Sequence, residues 1–430
     1  MPTPGLRWFE SLRDFEAQRE GTLPNLDAIR AMLDAIADPQ DAYRIIHITG
    51  TNGKGSVAYF ATQLALALGM SVGTFTSPHL EFIGERIVVD GLALEAGGLE
   101  DELFSLMAIH DSLALPPLTK FEALTAAAYS HFALAGVELA VVEVGMGGAW
   151  DATNVADGEV AVVTSVGLDH QNELGDNVAK IAEVKSGIIK PGATVLTGTL
   201  VPEARDVVAR AAASVGSPVH SIGREIRVEE AVRGVGGWYC EIVTERDRYE
   251  DLFVGVHGRH QLDNVALALA SVEAIGGSPL PKDAVHAALH EATPPGRTEV
   301  LGREPLVIAD VAHNAMAAEV LGRTLVEEFG SRSGWVVVAA VAHGRDPGEF
   351  LSALGASMID ELYVVTVDSP QVDPVDVAHD ASRLGIRSHL GGDIGELLPK
   401  LLSKVRDDQL VLIVGGHSVV GGARRILSQR

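Results

Sequence analysis

The chain has 430 residues, 47% of them apolar, and a formal charge of −25 from 58 acidic and 33 basic side chains. That length is too great for one ordinary core and fits two domains, and the apolar share argues against disorder. The acidic residues are spread along the chain, which argues against non-specific nucleic-acid binding, because that depends on Lys and Arg neutralising phosphates. An anionic ligand must therefore be met by a few local donors and cations or by a metal.

Arg7, Glu10, Arg13, Asp14, Glu16, Arg19 and Glu20 break up the N-terminus, so no signal peptide is expected. No apolar run approaches the roughly 18 residues of a membrane helix. Even the Ala-rich stretch after Leu124 is interrupted by Tyr129, Ser130, His131 and Glu138. Cys240 is the only cysteine, which leaves no internal disulfide or cysteine metal cluster and points to a reducing, cytoplasmic home.

In chain order, YRIIHIT, SVGTFT, ELAVVEV, EVAVVTSV and ATVLTGT predict strands, separated by segments with apolar residues at three- and four-residue spacing. Such alternation predicts an α/β domain with a mostly parallel sheet. Between residues 221 and 257 the pattern turns irregular, and RGVGGWYCEIV reads as a hairpin. ATPPGRTEV then places a domain boundary near 293–297. Beyond it PLVIADV, WVVVAAV, LYVVTVD, GIRSHL and LVLIVGG, each followed by a plausible helix, predict a smaller doubly wound, Rossmann-like α/β domain. The expected units are residues 1–293 and 297–430.

The most informative stretch is HITGTNGKGSVAYF at 47–60. Gly50, Thr51, Asn52, Gly53, Lys54, Gly55 and Ser56 follow the run Ile45 to Ile48. They precede a segment in which Val57, Phe60, Ala61, Leu64 and Leu68 share a helical face, with Gly69 suited to its C-terminal cap. A glycine-rich turn lets backbone N–H groups close on an anion at the start of a helix. Lys54 adds a point charge for the outer phosphates, and Ser56 a hydroxyl for magnesium. The spacing is GxxGKxS rather than the commoner GxxxxGK[ST]. A bare glycine-rich turn reads equally well as a structural connection, but strand, lysine, hydroxyl and helix together predict nucleotide binding.

TNGKGS, TSPHLEFIGERI, VVEVGMGGAWDATN, LDHQNELG, VKSGIIKPG, GRHQLDNVALAL, PGRTEV and DVAHN follow one another in the order of folylpolyglutamate synthases. From residue 25 onward the chain resembles that family and its bifunctional dihydrofolate synthase relatives, within the Mur ligase superfamily. The resemblance implies an ATP-dependent amide ligase with a P-loop ATPase domain and a C-terminal glutamate-binding domain. A pterin-bearing carboxylate, dihydropteroate or a folate, would take the γ-phosphoryl group, and the amine of L-glutamate would attack the acyl phosphate. Such transfer between anions needs charge neutralisation and alignment above all.

The resemblance gives catalytic weight to Lys54, His170, Lys185 and Arg297. It assigns Ser56, Glu143 and His170 to magnesium, the latter two at carboxyl ends of predicted strands, where α/β sites are built. Lys185 aligns with a lysine that the family carbamylates to hold a second metal, which requires an amine whose pKa is lowered. Here Val184 and Ser186 depart from the usual Glu-Lys-Ala-Gly. His260, Gln261 and Asn264 would lie by the nucleotide, Asn264 facing adenine from the first turn of a helix. Arg297 would reach the γ-phosphate, and Asp310 and His313 the ribose. Ser77, Pro78 and His79, with the ERI segment, resemble the loop over the pterin, and Phe121 and Asp151 match positions lining its pocket. Taken singly, each has a plainer reading: a solvated carboxylate for Glu143, a satisfied polar residue for His170, a surface lysine for Lys185, a cap for Asn264, a core residue for Phe121. A cleft between two moving domains, in a monomer, is the expected site.

Three departures bear on the substrate. Ala149 stands where the family usually has Arg, VAHGRDP at 341–347 replaces an MxDKD-like segment, and GGHSVVGGA at 415–423 replaces a GSLYLVGE-like one. His343, Arg345, His417 and Ser418 either bind an amino-acid carboxylate or mark a changed substrate. The rival readings are a ligase for another acid or amino acid and a nucleotide-binding paralogue without ligase activity.

Overall fold

The computed structural model describes residues 3–14, 25–330 and 332–428. Its first sheet has eight strands: β1 (Arg44–Thr49), β2 (Val72–Phe75), β3 (Ile87–Val89), β4 (Leu92–Ala93), β5 (Leu139–Glu143), β6 (Val160–Val163), β7 (Thr194–Thr197) and β8 (Val219–Ser221). They lie in the order β4-β3-β2-β5-β1-β6-β7-β8, and all pairings are parallel except those of β3 with its two neighbours. The central strand β1 is buried from Ile45 onward because helices cover both faces of the sheet.

On one face lies the helix Lys54–Ala67, with the helix His260–Gly276 packed on it. Sandwiched in this way, Lys54–Ala67 buries Val57, Ala58, Phe60, Ala61, Thr62, Leu64 and Ala65, a wider face than its apolar spacing predicts. Leu68 ends the helix and Gly69, at φ 77°, makes the left-handed exit. On the other face the helix Lys120–Ala135 buries Tyr129 and Phe132. Gly73 of β2 makes room for that packing, since a Cβ there would lie 2.6 Å from the Phe132 ring. Each fully buried side chain of this size contributes about 1.5–3 kcal/mol.

The irregular stretch forms an antiparallel sheet of β9 (Arg227–Gly234), β10 (Gly237–Val243) and β11 (Arg248–Val254). The predicted hairpin is β9–β10. The third strand carries the polar residues Arg248, Glu250 and Asp251, which hide its alternation, yet Tyr249, Leu252 and Val254 are buried.

After the linker, a second sheet comprises β12 (Glu299–Arg303), β13 (Leu306–Asp310), β14 (Trp335–Ala339), β15 (Ile359–Thr366), β16 (Arg387–Asp393) and β17 (Leu410–Val414). Its order is β12-β13-β17-β14-β15-β16, parallel apart from the edge strand β12, which sequence patterning does not reveal. Buried clusters lie on both of its faces. No helix of the described residues is long and apolar enough to cross a membrane.

Candidate active site

The carboxyl ends of β1, β5 and β6 and those of β13, β14 and β17 border one cleft of about 2000 Å³. Residues 50–56 line its floor. The turn is tied down by its neighbour after β6: Thr51 N–H donates to Ser165 O at 2.8 Å and Asn52 N–H to Ser165 Oγ at 2.9 Å. The Thr164 and Ser165 hydroxyls donate to Asn52 O at 2.6 and 2.9 Å. Gly53 has φ 90°, and a Cβ there would sit 2.8 Å from Asn264 Oδ1. A Cβ on Gly55 would press on Arg297 Nη2 at 3.1 Å and Glu143 Oε2 at 3.4 Å. Gly53 is thus required by its conformation, and Gly55 leaves room for two polar side chains to close on the turn.

Two ammonium groups converge on one carbonyl: Lys54 Nζ donates to Gly50 O at 3.2 Å and Lys185 Nζ to the same oxygen at 2.9 Å. Burial, then the charge of Lys54, lowers the Lys185 amine to about 7, although Asp169 and Asp151 oppose the change. Lys185 is therefore a buried amine and not a surface lysine. Glu143 lies 3.9 Å from Lys54 Nζ. Burial raises its carboxyl above the usual range, and Lys54, Arg297, the Ser77 N–H and Arg86 hold back part of that rise. Ser56 Oγ is buried with no hydrogen-bond partner among the described residues. An unpartnered hydroxyl lining the same cleft as a buried carboxylate fits a hard divalent ion whose other ligands are phosphate and water.

His170 opens the short helix Gln171–Leu174 at φ 49°. Its Nε2 lies 3.4 Å from Arg345 Nη2. The same nitrogen lies 3.6 Å from Asp169 Oδ1, so His170 joins the carboxylate–guanidinium group at the seam. Arg345 also pairs with Asp169. Burial alone would raise the Asp169 carboxyl, but His170, Arg345 and His313 outweigh it and hold it below its usual range. Among the described residues no three His, Cys, Asp or Glu side chains form a metal cage.

Asn264 sits in the second turn of His260–Gly276, not the first, so it is no cap; its amide donates to Gln261 Oε1 at 2.9 Å. Asp310 is occupied as well: it accepts Thr298 N–H at 2.7 Å, Thr298 Oγ1 at 3.1 Å and Ala312 N–H at 2.8 Å. It thereby holds the β-branched Thr298 at φ 49°, a disfavoured conformation, directly after Arg297. His313 Nδ1 bonds Val311 O at 3.0 Å, and burial lowers its pKa. His417, first residue of the helix His417–Leu427, is pushed well below its usual pKa by burial and then by Arg297, His313, Arg86 and Lys54 around it. It meets the cleft as a neutral imidazole.

At the other end, Ser77, Pro78, His79 and Phe121 line the cleft together. Arg86 is 7% exposed and its Nε donates to His79 Nδ1 at 3.1 Å. The glycine-rich segment after β5 lies on Phe121, whose ring tip would be 2.5 Å from a Cβ on Gly145. Asp151 reaches back into its own loop, accepting Met146 N–H at 2.8 Å and Thr153 N–H at 3.0 Å.

Sequence reasoning gave no role to Asn314 or Asp169. Asn314 caps the helix Ala315–Phe329 by accepting Ala317 N–H at 2.9 Å. It also crosses the cleft, its amide donating to Asn52 Oδ1 at 3.1 Å and to Asp169 Oδ2 at 3.0 Å. The available signal was a polar residue following each strand within LDH and DVAHN.

Two family descriptions match the chain: the Mur ligase middle domain over residues 48–272 and the Mur ligase glutamate ligase domain over residues 296–417. Fold and cleft together define a Mur-type ligase. The dihydrofolate synthase/folylpolyglutamate synthase of Mycobacterium tuberculosis is 37% identical over 86% of this chain and 81% of its own length. The folylpolyglutamate synthase of Lacticaseibacillus casei is 32% identical over 93% of each. A structure of Mycobacterium tuberculosis folylpolyglutamate synthase complexed with ADP and AMPPCP matches with a TM-score of 0.89 at 35% identity, covering 95% of this chain and 96% of that one. An FPGS–AMPPCP–folate complex matches at 0.84 and 30% identity, covering 98% of each chain. The chain belongs to the folylpolyglutamate synthase/dihydrofolate synthase family of ATP-dependent ligases.

Proposed function

We propose that this chain joins L-glutamate to the carboxylate of dihydropteroate or a folate through an acyl phosphate, using ATP and magnesium. The observation that carries this reading is the set of cations, Lys54, Arg297 and Lys185, gathered on the glycine turn between the two domains. The main-chain amides of residues 50–56 and the Lys54 ammonium grip the triphosphate, and Arg297 meets the γ-phosphate from the linker. Ser56 and Glu143 would hold magnesium, which would supply neutralisation of phosphate charge. Lys185 is neutral often enough to take up carbon dioxide, and its carbamate would turn a repelling lysine pair into an ion pair with Lys54. The acceptor lies at the Phe121 end of the cleft with its carboxylate toward the turn, and the domains exclude water while the acyl phosphate lasts. Both lips come from one chain, so a monomer suffices.

The test is mass spectrometry after incubation with ATP, magnesium, L-glutamate and either dihydropteroate or tetrahydrofolate. A product heavier by one glutamyl residue is expected, and the acceptor that gains it names the activity. No gain with any pterin acceptor overturns the reading.

A further inference from the structure

Beneath the acceptor end lies a buried polar chain that the reaction as proposed does not use. His47, the fourth residue of β1, is fully buried, and its Nε2 lies 2.9 Å from Thr153 Oγ1. Thr153 Oγ1 lies 2.6 Å from Asp151 Oδ1. Donor and acceptor capacity fix the direction of each bond. A carboxylate only accepts, so the hydroxyl gives its proton to Asp151 and its oxygen is left to accept. His47 must therefore donate from Nε2, leaving Nδ1 bare, and Nδ1 is buried without a hydrogen-bond partner among the described residues. Burial, with Lys190 nearby, pushes this imidazole down to about 3, so it stays neutral through the range in which the protein works.

The placement gives the chain a purpose. His47 stands three residues before Gly50 on the strand that carries the phosphate turn. Asp151, at the far end of the relay, organises the segment that lies on Phe121 through Met146 N–H. Tyr129 steadies the middle by donating to Thr153 O at 2.9 Å. We propose that His47, acting through Thr153, is a positioning residue that fixes the acceptor loop in register with the phosphate turn. The inference rests on reading the Asp151–Phe121 end as the acceptor site. Its physical basis is that a loop left loose must be ordered when the acceptor binds, a cost that falls on acceptor affinity and not on the nucleotide.

The test uses four variants of the full chain. Thr153→Val and His47→Leu delete the bond; Thr153→Ser and His47→Gln keep it, because the glutamine amide nitrogen reaches where Nε2 stands. With ATP, magnesium and glutamate, the deletions should raise the KM for the pterin acceptor about tenfold and the KM for ATP less than about twofold, and the conservative pair should recover most of the loss. Equal changes in both KM values, or a deficit in the conservative pair as large as in the deletions, overturns the proposal. Thr153→Val preserves volume and carries the test if His47→Leu does not fold. Should the wild type ligate no pterin, the proposed function fails, and the relay is judged without substrate. Nitrogen NMR should show a single Nε2–H tautomer for His47, and amide exchange of residues 145–149 should speed up in Thr153→Val but not in Thr153→Ser. An Nδ1–H imidazole in the wild type, or unchanged exchange in Thr153→Val, overturns the relay.

Discussion

The two lips of the cleft are held by different means. On the N-terminal lip the phosphate turn is fixed from within its own domain, by main-chain groups of Thr51 and Asn52 bonded to Thr164 and Ser165. Across the seam the joining groups are side chains: Asn52 with Asn314, Asn314 and Arg345 with Asp169, and Arg424 with Glu81. Main-chain groups pinned within one domain keep their place, whereas side-chain pairs between domains can part and re-form as domains rotate. The phosphate holder is thus constant, and closure is the adjustable quantity. Nor are the seam contacts alike, since Glu328 receives Gly258 N–H at 2.7 Å and so also touches backbone near the His260–Gly276 helix.

The sharpest way to break this contrast is on the rigid lip. Lys54→Ala should lower kcat by about a thousandfold, because it removes a fixed cation aimed at the transferring phosphate, while circular dichroism and Tm stay close to wild type. Retained turnover would refute the phosphate assignment. The same substitution removes a cation that depresses Lys185, so the pKa of that amine should rise.

Lys185 itself comes next. An amine near 7 against an ordinary 10.5 is protonated more readily in the unfolded chain. Its cost to stability is therefore full below about pH 7 and fades as pH rises toward 10.5, so this group makes the fold more stable with rising pH. Carbamate formation needs the free amine and should fall about tenfold for each unit below pH 7. Labelled bicarbonate and carbon NMR at pH 6, 7 and 8 read this directly. Lys185→Met should lower kcat by about a hundredfold while raising Tm, since it removes a buried cation. No labelled carbamate at pH 8 would rule out the modification.

A smaller effect belongs to the seam. Asp169→Asn should lower kcat about tenfold with nucleotide affinity changed less than about threefold, because it loosens closure and leaves the phosphate turn intact. Combined with Arg345→Met it should fall short of additivity by about 1 kcal/mol or more, the mark of residues that act through each other. Full additivity would mean that the pairing contributes nothing to turnover.

The same contrast explains what was legible in the sequence. The phosphate turn is contiguous, and its glycines, lysine and serine announce themselves by spacing. The β-rich runs mark the strands along the chain, and all ten predicted in this way form. What a sequence does not display is which polar side chains meet across 100 residues or more. Asn52 belongs to the phosphate turn and nothing in the sequence singles out Asn314, yet the fold sets their side chains 3.1 Å apart. Asp310 and Asp151 were legible as site residues, yet much of their bonding capacity goes to the backbone beside them. Arg345 lines the cleft as well, and its partners Asp169 and His170 across the seam were not legible in the sequence.

The mildest perturbation tests whether the seam also reaches the acceptor loop. Leu80 packs into the core of the second domain, and a Cβ on Gly421 would lie 1.7 Å from its carbonyl oxygen, so the loop and the helix His417–Leu427 are in close contact. Arg424 of that helix bonds Glu81 at 2.8 Å and also pairs with Glu299 beside the linker, tying loop, helix and hinge together. All three side chains remain partly exposed, at 23%, 25% and 17%, so solvent screens the pairings and Arg424→Ala should cost no more than about 1 kcal/mol. Because the clamp joins the loop to the moving domain, the loss should appear as an acceptor KM raised about threefold, with the KM for ATP unchanged. Raising ionic strength should narrow the gap between variant and wild type. A Tm shift without any change in acceptor KM would make Arg424 a stabilising contact alone and confine the adjustable seam to the Asn314–Asp169–Arg345 side of the cleft.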